Sequence, residues 1–217
     1  MLSDFHGHRP VIKEFCKIVD SEHIDSLIVC GDLTHFGSLK SAEEILKELV
    51  TLGTPLFFVP GNCDPKELAK IEVINGAVNL HGRCKKINGL NFIGVGGSVY
   101  SPFKTPFEFS EETLRETIDH AYRELNAEER FVLVSHMPPM NTKVDITASG
   151  IHVGSASLRE FVEKARPILM ACGHIHEARG IDELGGTLIV NSGSAHRGSY
   201  ALVEVDGCPK AKLGSLW

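Results

Sequence analysis

The stretch Leu27-Ile28-Val29-Cys30-Gly31-Asp32 constrains this chain most. A short apolar run reads as a buried strand, and the glycine and carboxylate that follow stand where the chain turns outward. In open α/β sheets, functional groups gather at that end of a strand. The arrangement recurs four more times. Residues 1–3 lead into Asp4-x-His6, residues 55–59 into Pro60-Gly61-Asn62, residues 131–135 into His136, and residues 168–172 into Gly173-His174-Ile175-His176. Each motif alone is common by chance, and an isolated Gly-Asp is usually only a turn. Five strand ends that each deliver a carboxylate, an amide or an imidazole are not coincidence. The seven residues Asp4, His6, Asp32, Asn62, His136, His174 and His176 are therefore expected to converge on one pair of metal ions, with Asp32 between them.

The intervening sequence predicts how these ends are brought together. Pro10 opens a helix with an apolar stripe at Val11, Ile12, Phe15, Ile18 and Val19, and residues 39–52 give a second, stopped by Gly53. The order β-α-β-α-β up to residue 59 favours parallel strands with right-handed crossovers. Residues 84–87 and 90–95, joined by Asn88-Gly89, predict a two-residue hairpin. Residues 98–109 read as a loop carrying Tyr100, Phe103, Phe107 and Phe109, with core cover the expected role of its aromatics. Residues 111–125 read as a third helix, and a long loop follows His136 up to about Gly154. A fourth helix centres on Leu158, Phe161 and Val162. The tail is β-rich, with a turn at Asp206-Gly207. The expected class is α/β: two packed mixed sheets flanked by helices, in one domain spanning residues 1–217. The first strand is too short, since a central strand needs about five residues, and an upstream part of it is expected to be missing.

Composition narrows the function. The net charge of -6 provides no broad basic face for duplex nucleic acid, and the one basic cluster, Arg83-Cys84-Lys85-Lys86, is short. No apolar run approaches membrane-spanning length and no charged-then-apolar leader opens the chain. The six cysteines show no Cys-x-x-Cys spacing, so a zinc knuckle is not expected, and reduced thiols in a cytoplasm are the default. Gly94-x-Gly96-Gly97 lacks the helix and acidic partner of a dinucleotide fingerprint. Two carboxylates, one amide oxygen and four imidazoles suit manganese, iron, zinc or nickel better than calcium. Such a positive centre calls for an anion, and paired ions clamp the oxygens of a displacement at phosphorus.

The series Asp4-x-His6, Gly31-Asp32, Gly61-Asn62, His136 and Gly173-His174-x-His176 resembles the calcineurin-like metallophosphoesterase superfamily, in its small single-domain bacterial and archaeal branch. The resemblance implies a four-layer α/β/β/α sandwich. It places Asp4, His6, Asp32 and His176 on one divalent metal and Asp32, Asn62, His136 and His174 on the other. It implies hydrolysis of a phosphodiester or phosphomonoester by in-line attack of a bridging hydroxide, on a small and possibly nucleotide-like substrate. Asn191-Ser192-Gly193-Ser194 resembles a turn that closes the site in small members. Relatives commonly carry histidine after the asparagine; Cys63 stands there, and a neutral thiol is a poorer acid. This favours activated or cyclic diesters, or passes the role to another histidine. His35 is a candidate for contact with substrate phosphate, whereas His8, His152 and His196 are expected at the surface. The alternative reading is a non-catalytic scaffold or regulatory protein on the same fold, which fits poorly with a ligand set that is filled at every position. A nuclease would need a basic groove, and a large protein phosphatase would need extra segments.

Overall fold

The computed structural model describes residues 1–126 and 129–217. In chain order its elements are α1 (Pro10–Glu22), β1 (Leu27–Cys30), α2 (Leu39–Val50), β2 (Leu56–Val59), β3 (Val73–Ile74), β4 (Ala77–Asn79), β5 (Cys84–Ile87), β6 (Leu90–Val95), β7 (Ser98–Val99), β8 (Glu108–Phe109), α3 (Glu111–Tyr122), β9 (Phe131–Ser135), α4 (Ala156–Ala165), β10 (Leu169–Cys172), β11 (Gly180–Leu184), β12 (Thr187–Asn191), β13 (Ser199–Glu204) and β14 (Lys210–Ser215). Four strands form one sheet in the order β1-β2-β4-β3, and six form another in the order β11-β12-β10-β9-β6-β5. Both sheets are mixed: β1–β2–β4 and β6–β9–β10–β12 are parallel, with antiparallel strands at the edges.

Strand periodicity explains the layering. Along β1, Leu27 and Val29 pack with α1 and α2, while Cys30 turns to the layer between the sheets. Along β9, Phe131 and Leu133 join α3 and α4, while Val132 and Val134 meet Cys30 and Val59 from the other side. Strands buried on both faces read as continuous apolar runs, which is why these were visible in the sequence. The result is the α/β/β/α sandwich. Serine caps start three of the helices: Ser38, Ser110 and Ser155 each accept a hydrogen bond from the backbone N–H three residues on. The Asn88-Gly89 turn has both residues at positive φ, as a type I′ hairpin requires.

Two expectations change. Residues 98–109 are not all loop, since β7 and β8 pair in parallel across their ends. The aromatics there divide: Phe109 is buried and packs against Phe107, whereas Tyr100 and Phe103 are 71% and 85% exposed. Among the described residues no helix is long and apolar enough to cross a membrane.

Candidate metal centre

The ends of β1, β2, β9 and β10 and the segment after an isolated bridge at Leu2 bring the expected ligands together. The close approach is enforced at glycine. Gly31 has φ +89°, and a Cβ on it would lie 2.6 Å from His136 Nδ1 and 2.7 Å from Gly61 Cα. Four of the seven expected ligands also sit in the left-handed region: Asp4 (φ 59°), His6 (φ 47°), Asp32 (φ 50°) and His174 (φ 67°). Strain of this kind is concentrated at functional sites.

The side chains form linked groups. His6 Nε2 lies 3.2 Å from His176 Nε2, and His176 Nε2 lies 3.2 Å from Asp4 Oδ1. On the other side, His136 Nε2 lies 2.8 Å from Asn62 Oδ1 and 3.5 Å from Asp32 Oδ1. Asp32 faces both, because its Oδ2 is 3.7 Å from His6 Nε2. The His174 ring stands 4.8 Å from that of His136, centroid to centroid. Ligand atoms about 3.0–3.5 Å apart are what bonds of about 2.1 Å to a shared ion produce.

Hydrogen bonding fixes which atoms present lone pairs. The Cys30 carbonyl can only accept, so His136 carries a proton on Nδ1, 2.7 Å away, and turns its Nε2 into the site. Thr105 Oγ1 donates its single proton to Glu108 Oε1 at 2.7 Å and so accepts from Asn62 Nδ2 at 3.0 Å. That turns Asn62 Oδ1 towards His136 Nε2. The two atoms are aimed at each other at 2.8 Å, a contact that either a proton on Nε2 or a shared cation satisfies. His6 Nδ1 is buried with no hydrogen-bond partner, and buried Asp4 Oδ1 is met only by His176 Nε2 at 3.2 Å. The residues thus fit a pair of divalent ions.

Protonation agrees. Burial, foremost, pushes His6 down to about 4 and His174 down to about 3, so both are neutral and free to ligate at pH 7. His176 is shifted up, chiefly by its hydrogen bond with Asp4. The Asp4 carboxyl is held well below the usual range: burial opposes this, but His176 and His136 outweigh it.

Three supporting residues, Asp64, Thr105 and Glu108, had no sequence signal as functional, whereas Ser194 belongs to the turn expected to close the site. Asp64, fully buried, accepts from Leu33 N (3.1 Å), Thr34 N (2.7 Å), Thr34 Oγ1 (2.9 Å) and Gly61 N (2.8 Å), tying the loop after β1 to the loop after β2. Ser194 Oγ and His196 N both donate to the Asp4 carbonyl, at 2.9 and 3.1 Å, so the turn after β12 clamps the first motif. Thr105 lies in the loop between β7 and β8, and Glu108 begins β8. Thr105→Val is expected to weaken metal binding by about 10–100-fold, with Thr105→Ser restoring it; calorimetric titration with Mn²⁺ checks this.

The remaining expected residues lie around the mouth. His35 is exposed, with its ring 5.4 Å from that of His6, and His6, His35 and Cys63 bring ligand atoms within 4.8 Å of one another. Cys63 is buried beside Asp32, whose Oδ1 accepts from Cys63 N at 2.8 Å. His8 and His196 pack ring to ring at 4.5 Å, with His196 exposed, and His152 is exposed with Nδ1 2.7 Å from Asp145 Oδ1.

Fold and site together define a metallophosphoesterase domain. The calcineurin-like phosphoesterase superfamily domain matches residues 1–207, and the chain belongs to that family. The protein MJ1162 of Methanocaldococcus jannaschii is 40% identical over 198 residues, covering 88% of this chain and 85% of that one. The fold is similar to that of TT1561 of Thermus thermophilus (TM-score 0.79, 18% identity, 100% of this chain and 97% of that chain). It is also similar to that of a dimetal phosphatase from Danio rerio (TM-score 0.66, 11% identity, 100% and 95%).

Proposed function

We propose that this protein is a binuclear metal-dependent phosphoric ester hydrolase acting on small phosphodiesters, with Asp4, His6, Asp32 and His176 at one ion and Asp32, Asn62, His136 and His174 at the other. The observation that carries the reading is Asp32, which turns one carboxylate oxygen to each group of histidines. Two divalent ions held there would supply an activated water and a clamp on the phosphoester oxygens. The chain's own residues do the rest. His136 and Asn62 are oriented before any ligand arrives, by the Cys30 carbonyl and the Thr105 hydroxyl. His35 stands at the rim, in reach of a phosphate oxygen. Phe36, Tyr100 and Phe103 are exposed on the segments beside the site and flank the organic part of the ester, which suits a nucleotide-like group.

Cys63 sets the leaving-group preference. Burial, foremost, and the neighbouring Asp32 push its thiol far above its ordinary range, so it remains neutral and donates a proton poorly. Activated or cyclic diesters need no such donor. Cys63→His is therefore expected to raise turnover of an alkyl diester by about 10-fold or more while leaving a nitrophenyl diester nearly unchanged. Equal effects on both esters would remove Cys63 from this role.

The reading is tested by elemental analysis of the protein alongside hydrolysis of chromogenic diester and monoester substrates, with and without added Mn²⁺. Two metals per chain with metal-dependent turnover are expected, the diester being faster. Two metals with no turnover would transfer the fold to a scaffold role, and no metal after reloading would dismiss the ligand assembly.

A further inference from the structure

A third set of ligand atoms gathers at the mouth, and it differs in kind from those at both expected ion positions. His6, His35 and Cys63 come from three separate loops, and each offers a nitrogen or sulfur atom within 4.8 Å of the other two. The His6 and His35 rings meet edge to face, 5.4 Å between centroids. Cys63 is fixed through its main chain: its N–H donates to Asp32 Oδ1 at 2.8 Å, and its carbonyl accepts from Phe36 N at 3.1 Å and Thr34 Oγ1 at 3.4 Å. The two residues that flank His35 are therefore tied to the residue that carries the thiol. His35 itself is exposed, so the group opens to solvent on that side.

The donor types separate the ions each set prefers. Carboxylates, an amide oxygen and imidazoles suit Mn²⁺, whereas a thiolate with two imidazoles suits Zn²⁺ or Cd²⁺. Tetrahedral bonds of about 2.1 Å to nitrogen and about 2.3 Å to sulfur set ligand atoms roughly 3.4–3.6 Å apart, and rotation of the exposed His35 side chain supplies the contraction. Burial, foremost, and the nearby Asp32 carboxylate keep the Cys63 thiol protonated. A divalent ion takes that proton's place: the metal–sulfur bond forms as the proton leaves to solvent. His6 sets the relation between the two centres. Its Nε2 lies 3.2 Å from His176 Nε2 and 3.7 Å from Asp32 Oδ2, and a neutral imidazole has a single bare nitrogen. One His6 ring therefore ligates one ion at a time.

We infer that His6, His35 and Cys63 form a site for a thiophilic divalent ion of the zinc class, which competes for His6 with the first ion of the pair. The competition rests on the binuclear assignment, whereas the triad does not. With the triad filled, Asp4 and His176 lose their shared imidazole partner and hold the first ion less tightly. The coupling is reciprocal, so Mn²⁺ in the paired centre weakens the thiophilic ion by the same factor. His35 is also withdrawn from contact with a phosphate oxygen. A zinc-class ion in excess thus opposes the manganese-loaded state at two points, the ligand supply of the first ion and the rim of the mouth.

The test titrates Cd²⁺ into the metal-free and the Mn²⁺-loaded protein, for the parent, Cys63→Ser and His35→Ala. The ultraviolet charge-transfer band from thiolate to Cd²⁺ is read together with the Mn²⁺ released, so the outcome does not depend on turnover. The parent is expected to develop the band with about one equivalent of Cd²⁺ and, when loaded, to release about one Mn²⁺ per chain as it does so. Cys63→Ser is expected to lose the band and to keep its Mn²⁺ up to about tenfold higher Cd²⁺ or more. His35 is exposed, so His35→Ala keeps the fold, and it is expected to weaken Cd²⁺ by about tenfold or more. A band of full intensity in Cys63→Ser overturns the inference, because another of the six cysteines would then carry it. Cd²⁺ affinity unchanged in His35→Ala overturns it as well. Equal release of Mn²⁺ from the parent and Cys63→Ser, or a Cys63-dependent band with no release, overturns the competition for His6. A protein that gives this band yet never binds Mn²⁺ overturns the competition too, and that outcome alone counts against the binuclear assignment.

Discussion

Asp32→Asn is expected to reduce metal-dependent phosphodiester hydrolysis by about three orders of magnitude and to lower bound metal from two ions per chain to one or none. The Asp32 carboxylate addresses His6 through Oδ2 and His136 through Oδ1. An amide keeps one acceptor oxygen and replaces the other with a donor that repels a cation. The bridge is lost, although the bond from Cys63 N to Oδ1 at 2.8 Å can persist. Stability of the metal-free protein moves in the opposite direction. Burial raises the Asp32 pKa to about 7; His136 opposes this, and Asp4 and Asp64 add to it. The folded state therefore holds a proton between about pH 4 and pH 7 that the unfolded chain has released. Stability falls as pH rises through that window. Asparagine removes the buried charge, so the metal-free variant is expected to melt no lower than the parent at pH 8, while the rise in Tm on adding Mn²⁺ shrinks or disappears. Elemental analysis and melting curves with and without metal separate these two effects. Full metal content together with full activity in the variant would overturn the assignment of Asp32.

The ligands at the ends of β1, β2, β9 and β10 were legible in the sequence because each strand is buried or nearly so on both faces, where an apolar run stops abruptly at a polar residue. Asp4 and His6, by contrast, follow only an isolated bridge at Leu2. The layering was legible for the same reason, with helical stripes at Val11, Ile12 and Phe15 and at Leu158, Phe161 and Val162 marking what covers each sheet. The short strands β3 and β4 and the edge strand β11 were not. Two or three residues make no period, and Gly180-Ile181-Asp182-Glu183-Leu184 alternates between half-buried and exposed positions that resemble a loop. The orienting residues were hidden more deeply. Thr105 reaches Asn62 across 43 positions, and a threonine in a loop carries no mark of the one acceptor it meets. Asp64 was in plain view beside Asn62, yet only the folded chain reveals that its carboxylate gathers donors from two different strand ends. Ligands are written locally, whereas the groups that aim them depend on long-range contacts.

Gly61→Ala is expected to cost about 3 kcal/mol of stability and to prevent the second ion from binding. Gly61 does not have a positive φ; its constraint is space. A Cβ at this position would overlap both the carboxylate and the main-chain nitrogen of Asp32, so the neighbour that has to yield is backbone as well as side chain. The loop after β2 cannot simply retreat, because Gly61 N donates to Asp64 Oδ2 at 2.8 Å and the same carboxylate holds Leu33 and Thr34. Any shift that relieves the overlap therefore moves Asp32 relative to Asn62 and His136, whose contacts close the second metal position. Gly180→Ala provides the control. Its added Cβ would meet nothing nearer than 3.6 Å, and its effect is expected to stay within about 0.5 kcal/mol. Denaturant titration of both variants, paired with metal stoichiometry, decides the point. A Gly61→Ala protein that matches the Gly180→Ala protein in stability and still binds two ions would show that the strand ends are not packed against each other at this glycine.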